Sequence, residues 1–216
     1  MTSRSETLER ILEGGVVAVL RGVTDETLEP IATALADGGI TAVEVTADTD
    51  DVLGKIERLA AVLANRPTVV GAGTVLDAPT ARATLLAGAD FIVTPTLSEP
   101  VIETANREAA PVIPGVMTPT EVQRALEAGT DVVKLFPAST VGPGHLSAIH
   151  GPLEQVSIIP TGGVDLENAA DFIDAGSVGV GVGSSLVTDE ILAESDWDAL
   201  EARASDFVAA VANARD

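Results

Sequence analysis

The chain contains no cysteine, no tyrosine, one tryptophan and only two lysines, Lys55 and Lys134, beside ten arginines. The lack of cysteine excludes disulfides, thiolate metal sites and a cysteine nucleophile. No apolar run reaches the roughly 18 residues that cross a membrane, so we expect no membrane partner. The first residues, MTSRSETLERILEGG, lack the basic region and apolar core of a signal peptide, and we expect a cytoplasmic protein.

The net charge is −21, from 33 acidic and 12 basic residues. A surface of this sign repels nucleic acid, so no nucleic-acid partner is expected. Together with the scarcity of lysine and an aromatic content of 2%, the acidity predicts a halophilic protein, since concentrated salt screens the repulsion between carboxylates. The charge therefore says little about function.

Short runs rich in valine and isoleucine recur along the whole chain. They cover residues 16–20, 42–46, 69–73, 91–95, 111–116, 132–136, 157–163 and 178–183. Most are continuously apolar, as is typical of parallel strands covered on both faces. The stretches between them have helical patterns, and in one of these Thr118, Pro119 and Glu121 form the signature of a capping box.

Eight strand–helix units at a spacing of roughly 20–27 residues predict a (β/α)8 TIM barrel. We expect a single domain over residues 1–216, with an additional N-terminal helix at about 4–13 that covers the bottom of the barrel and a last helix at about 196–213. A solenoid would show a longer consensus repeat. A doubly wound open sheet fits eight units with short connections less well than a closed barrel does.

Lys134 lies within the apolar run VVKLF. Burial favours the neutral amine, and a neutral amine attacks ketones to form a Schiff base. Arginine cannot do this, so a lysine kept here in a lysine-poor chain indicates a nucleophile; the alternative is a structural ion pair. Glu44, between valines in AVEVT, could transfer protons beside Lys134 or simply pair with it, and both interpretations predict contact.

Two glycine-containing segments, PTGGVD and GVGSSL, follow the last two predicted strands. In barrels of this kind, backbone amides at these positions often bind phosphate. Gly162, Gly163, Gly183 and Ser184 could hold a phosphate dianion, with Arg21 nearby at the end of the first strand. The alternative at Gly162 and Gly163 is an ordinary turn. His145 and His150 are interpreted as surface residues, and the acidic pairs show no metal-ligand spacing.

Six segments along nearly the whole chain resemble the 2-keto-3-deoxy-6-phosphogluconate (KDPG) and 4-hydroxy-2-oxoglutarate (KHG) aldolase family. They are EVT, VGAGTV, IPGVMTPTEV, KLFPA, PTGGV and VGSSL. The resemblance implies a class I aldolase that is a homotrimer and uses neither metal nor another cofactor.

The resemblance also implies roles for individual residues. Lys134 matches the Schiff-base lysine, and Glu44 matches the acid/base glutamate. Thr74 matches a threonine that contacts the keto acid. The phosphate end and a basic position found in part of the family are matched by Thr161, Gly162, Gly163, Ser184 and Arg21.

The segment after Glu44 departs from the family. The family's Leu-Arg-Thr is replaced by Ala47-Asp48-Thr49, so that Asp48 stands where an arginine helps to bind the substrate carboxylate. An anion cannot take over that role, and Thr46, Thr74, backbone amides or a rearranged Arg21 are the candidate donors. The fourth strand ends in TPT where the family often has Ser/Thr-Pro-Gly, so the last threonine adds bulk near the same opening.

The expected substrate is a phosphorylated 2-keto-3-deoxy sugar acid, KDPG and its galactonate epimer, cleaved to pyruvate and glyceraldehyde 3-phosphate in an Entner-Doudoroff-type degradation. The alternatives are a phosphosugar isomerase or epimerase that uses Glu44 as its base, and a relative that binds phosphosugars without catalysis.

Overall fold

The computed structural model describes residues 2–215, which form an α/β fold of alternating strands and helices. The strands are β1 (Val16–Leu20), β2 (Ala42–Thr46), β3 (Val69–Gly73), β4 (Phe91–Val93), β5 (Val112–Ile113), β6 (Gly115–Val116), β7 (Val132–Leu135), β8 (Ser157–Pro160) and β9 (Val180–Val182). The helices are α1 (Arg4–Gly14), α2 (Leu28–Asp37), α3 (Val52–Val62), α4 (Ala78–Leu86), α5 (Glu99–Arg107), α6 (Pro119–Glu127), α7 (Ala138–His150), α8 (Ala169–Asp174), α9 (Asp189–Glu194) and α10 (Trp197–Arg215).

The strands pair in parallel in two sheets. One has the order β5-β4-β3-β2-β1-β9 and the other the order β6-β7-β8. The sequence predicts one strand over 111–116, whereas the structure has two short ones on either side of Pro114. Proline has no N–H to donate, so the ladder is interrupted there, although the Pro114 carbonyl still accepts a hydrogen bond from the Lys134 amide at 2.8 Å. For this reason the described residues contain nine strands instead of the predicted eight.

Apolar side chains on the two faces of the strands form two separate clusters. The larger lies between the strands and the helices and includes Val43, Val133 and Leu135. The smaller lies on the opposite face and includes Val132 and Ile159 from the second sheet together with residues of the first. Because side chains alternate along a strand, Lys134 points to the same face as Val132 and therefore away from the helices.

The first helix, α1, packs against the smaller cluster through Ile11, close to the predicted position at the bottom of the strands. At α6 the predicted capping box is confirmed, because Thr118 accepts from the Glu121 amide and the Glu121 carboxylate accepts from the Thr118 amide. Among residues 2–215, no helix is both long and apolar enough to cross a membrane.

Candidate active site

Lys134 and Glu44 lie on strands of the two different sheets and face each other. Strand β7 carries Lys134 between Gly115 of β6 and Ile159 of β8, and Glu44 lies at the centre of β2. The Lys134 Nζ is 4.0 Å from Glu44 Oε1, and the two side chains are 8% and 2% exposed. The predicted contact between the two side chains is therefore confirmed. Lys134 points toward the smaller apolar cluster, which contains residues of both sheets.

The Glu44 carboxyl is buried, and its polar contacts only partly replace the hydrogen bonds that water would make. Its Oε1 atom has no hydrogen-bond partner within the described chain. Burial raises the pKa of the Glu44 carboxyl, and the positive charges of Lys134 and Arg21 oppose this shift without cancelling it. A carboxyl with a raised pKa keeps its proton to higher pH than an ordinary glutamate does, which suits a group that must both donate and accept a proton.

Gly73 provides the space that the Glu44 carboxyl occupies. Gly73 lies on β3 and is the register partner of Thr46 on β2, which is two residues beyond Glu44. A Cβ atom at Gly73 would lie 2.5 Å from Glu44 Oε1 and 2.7 Å from its Cδ, closer than van der Waals contact allows. The carboxylate therefore depends on a neighbour without a side chain.

Phe136 covers Lys134 on another side. Its ring centroid lies 5.0 Å from the Lys134 Nζ, within the range of a cation–π contact. Below the lysine and the glutamate, a void of only about 10 Å³ remains, which holds no more than a single water. Substrate can therefore approach the amine only from the carboxyl ends of the strands.

A cavity of about 270 Å³ opens there, and most of the predicted site residues line it. They are Arg21, Glu44, Thr74, Lys134, Thr161, Gly162, Gly163, Gly183 and Ser184. Thr46 is the exception, since it is fully buried and its hydroxyl lies 3.2 Å from that of Thr49 instead of facing the cavity. Closely spaced carboxyl ends of parallel strands explain why residues so far apart in sequence meet.

Arg21 lies at one side of the cavity opening. One of its guanidinium nitrogens, Nη1, forms an ion pair with Asp48, and the other, Nη2, donates to Thr74 Oγ1 at 3.0 Å. Arg21 thus contacts residues that follow β2 and β3. Thr74 has a φ of +56°, a strained conformation for a β-branched residue, and such strain concentrates at functional sites.

Gly162 and Gly163 form the opposite side. Their φ angles are +90° and +79°, a conformation that other residues rarely adopt. The Gly162 carbonyl accepts from the Ser139 amide at 2.9 Å, and the Gly163 carbonyl accepts from Asn168 Nδ2 at 3.0 Å. The turn is held in this way at the cavity wall, where backbone amides of glycines can contact an anion.

Some features of the site were missed from the sequence. Val19, Pro95 and Phe136 also line the cavity, and only the contact between strands identifies apolar residues of this kind. Thr96 of the TPT segment lines a separate surface cavity with Arg124, so its bulk lies outside the site. His145 is half-buried, with its Nε2 2.7 Å from the Met117 carbonyl, a backbone contact that the sequence did not predict.

The arrangement suits chemistry on a ketone, because a sheltered amine lies beside a buried carboxyl in a cavity that is also lined by Arg21 and by the backbone of Gly162 and Gly163. No group of three or more histidine, aspartate or glutamate residues that could hold a metal ion occurs in the described part of the chain.

Comparison with known proteins places this site in a family. Residues 8–203 match the family model described as KDPG and KHG aldolase. The chain is 37% identical over 202 residues to the 2-dehydro-3-deoxy-phosphogluconate aldolase of Pseudomonas aeruginosa, covering 93% of this chain and 90% of the relative. It is also 37% identical over 173 residues to the 2-dehydro-3-deoxy-6-phosphogalactonate aldolase of Escherichia coli, covering 79% and 83%.

A solved structure of KDPG aldolase from Legionella pneumophila superposes with a TM-score of 0.84 at 28% identity, covering 92% of this chain and 97% of that one. In that structure pyruvate is captured at low pH as a covalent carbinolamine intermediate. The fold and the site define an α/β protein with its cavity at the carboxyl ends of parallel strands. The chain belongs to the KDPG and KHG aldolase family.

Proposed function

We propose that the protein is a class I aldolase that cleaves KDPG, and its galactonate epimer, to pyruvate and glyceraldehyde 3-phosphate. The observation that carries the proposal is the 4.0 Å approach of the buried Lys134 Nζ to Glu44 Oε1 at the base of the cavity. The two curated relatives that act on the gluconate and galactonate compounds support the choice of both epimers.

In this reaction the Lys134 amine attacks C2 of the keto acid, and loss of water gives the imine. Glu44 accepts the proton of the C4 hydroxyl as the C3–C4 bond breaks, which releases glyceraldehyde 3-phosphate and leaves an enamine. Protonation of the enamine at C3 and addition of water return the amine and release pyruvate. The water lost in the first step is regained in the last, so the products balance the substrate.

Roles for the other cavity residues follow from their positions. Thr161, Gly162, Gly163, Gly183 and Ser184 are proposed to hold the phosphate, and Thr74 and Arg21 to contact the keto-acid end. Thr46 supports the site through Thr49 instead of touching substrate.

Reductive trapping with borohydride and pyruvate tests the proposal. The chain has only two lysines, so peptide mapping distinguishes them, and we expect the adduct on the peptide with Lys134 and not on the one with Lys55. Lys134→Arg should abolish both the adduct and the cleavage, because arginine forms no imine, while the matched Lys55→Arg variant should keep the adduct. Cleavage of both epimers is followed as pyruvate in molar KCl. Retained cleavage in Lys134→Arg would refute the imine role of Lys134. A protein that interconverts phosphosugars without releasing pyruvate would favour an isomerase or epimerase, and a protein without any turnover would favour simple binding.

We also propose that the two sheets close into one (β/α)8 barrel in a single domain. The parallel bridge between Thr161 and Gly181 joins β8 to β9, the amide of Val178 donates to the Ile158 carbonyl at 3.0 Å, and one inner cluster contains residues of both sheets. A homotrimer, as the resemblance implies, would have three times the mass of the 21.9-kDa chain in light scattering. The cytoplasmic location and the halophilic character stay predictions.

A further inference from the structure

Asp48, which stands where the family pattern has an arginine, makes its contact with another arginine. The carboxylate of Asp48 forms the ion pair with Arg21 Nη1, while Arg21 Nη2 donates to Thr74 Oγ1. The guanidinium is therefore held between two partners on two neighbouring strand ends. It has five N–H donors, of which these contacts use two, so donors remain for a ligand.

The two residues lie differently with respect to the catalytic cavity. Arg21 and Thr74 line the cavity that contains Lys134 and Glu44. Asp48 instead lines a neighbouring cavity with Asp25 and Lys55. Arg21 thus lies toward the catalytic cavity, and Asp48 lies behind it, where its charge opposes a bound anion less than a carboxylate inside the cavity would.

Further contacts fix the segment that carries Asp48. The Gly22 amide donates to Thr49 Oγ1 at 3.2 Å, next to Asp48. The buried Lys55 Nζ donates to the Asp50 carbonyl at 2.6 Å and lies 3.3 Å from Asp25 Oδ1. Together with the ion pair, these contacts join segment 21–25 to segment 48–50 at three points, so the backbone next to Asp48 is fixed relative to that of Arg21.

Anchoring matters because the Arg21 side chain is 57% exposed. A long exposed side chain has many rotamers, and ordering it on binding weakens the affinity for a ligand. A partner that selects one rotamer before the ligand arrives reduces that loss.

We propose that Asp48 is a positioning residue, which holds Arg21 so that the guanidinium binds the carboxylate of the keto acid beside Thr74. The family's arginine at position 48 is thus replaced by an arginine on the first strand end and an aspartate that orients it. This inference rests on the proposed aldolase activity, because it concerns the pyruvate end of that substrate.

The test follows exchange of the pyruvate methyl protons with deuterium from solvent, by NMR in molar KCl. It compares the wild type with Asp48→Ala, Arg21→Ala and the double variant. Asp48→Ala should raise KM for pyruvate by about threefold to tenfold with little change in kcat, since exposed ion pairs are weak. Because Asp48 acts through Arg21, Asp48→Ala should add nothing in the Arg21→Ala background. Inhibition by inorganic phosphate, which reports the other end of the cavity, should not change in Asp48→Ala.

The matched control is Asp51→Asn, which removes one negative charge three residues away on the same exposed segment. It should leave KM for pyruvate unchanged. A lower KM in Asp48→Ala would mean that Asp48 repels the substrate and would overturn the inference, as would effects that add in the double variant. A wild type that neither exchanges the methyl protons nor forms the borohydride adduct would instead refute the proposed aldolase activity.

Discussion

The substitution Gly73→Ala perturbs the site through a single methyl group. The new Cβ would lie 2.5 Å from Glu44 Oε1, and ordinary contact begins at 3.4 Å, so the carboxylate must move by about 0.9 Å. Displacement of a catalytic group by about 1 Å can cost on the order of 100-fold in rate. We therefore expect kcat for KDPG cleavage to fall by about 100-fold, and the free energy of unfolding to fall by about 1–3 kcal/mol, as is usual for overpacking.

Two measurements separate proton transfer from imine formation. Exchange of the pyruvate methyl protons, which requires Glu44, should slow as much as cleavage does, while borohydride trapping at Lys134 should continue. Gly144→Ala is the matched control, because a Cβ there meets nothing within 4 Å and its φ is not positive. A folded Gly73→Ala variant with the wild-type exchange rate would refute the idea that the carboxylate's position is critical.

Four further predictions follow. Because burial raises the pKa of Glu44, the rate of methyl-proton exchange should begin to fall with decreasing pH at a pH above the usual glutamate range. The exchange that remains in Glu44→Gln should lack this fall. Thr118→Ala should lower the free energy of unfolding by about 1 kcal/mol in urea titrations through loss of the N-cap. Hydrogen bonds from the Met117 amide and from Thr118 lower the pKa of Glu121. The ionised carboxylate therefore stabilises the fold above the ordinary glutamate pKa, and this stabilisation is lost as the pH falls through the lowered pKa of the folded state. Glu121→Ala should remove that pH dependence from the free energy of unfolding. A chain with a net charge of −21 should gain stability from millimolar to molar KCl, and full stability without salt would contradict the halophilic interpretation.

Much of the fold could be predicted because the local signals agree with the tertiary structure. Continuous valine runs predict parallel strands, and the capping box at Thr118 correctly begins a helix. The division of the predicted strand 111–116 into β5 and β6 at Pro114 could also have been predicted, since proline cannot donate a hydrogen bond to a neighbouring strand. The kink of α7 at Gly142, where φ is +70°, was not predicted from the Gly-Pro pair that follows Val141.

The candidate site was predictable only as a set of residue types. The scarcity of lysine drew attention to Lys134, and buried carboxylates are rare enough to single out Glu44. Asp48 looked like the loss of a binding group, because its pairing with Arg21 joins residues 27 positions apart that meet only through the register of β1 and β2.

The sequence by itself determined the chemical groups and the periodicity, because a strand alternates its side chains and an amine between valines must be sheltered somewhere. Only the tertiary structure decided which face of β7 the lysine occupies, that its nitrogen lies 4.0 Å from Glu44, and that Arg21 contacts both Asp48 and Thr74. These are distances between strands that are far apart along the chain. They depend on pairing register and on the space left at Gly73, which no local pattern contains.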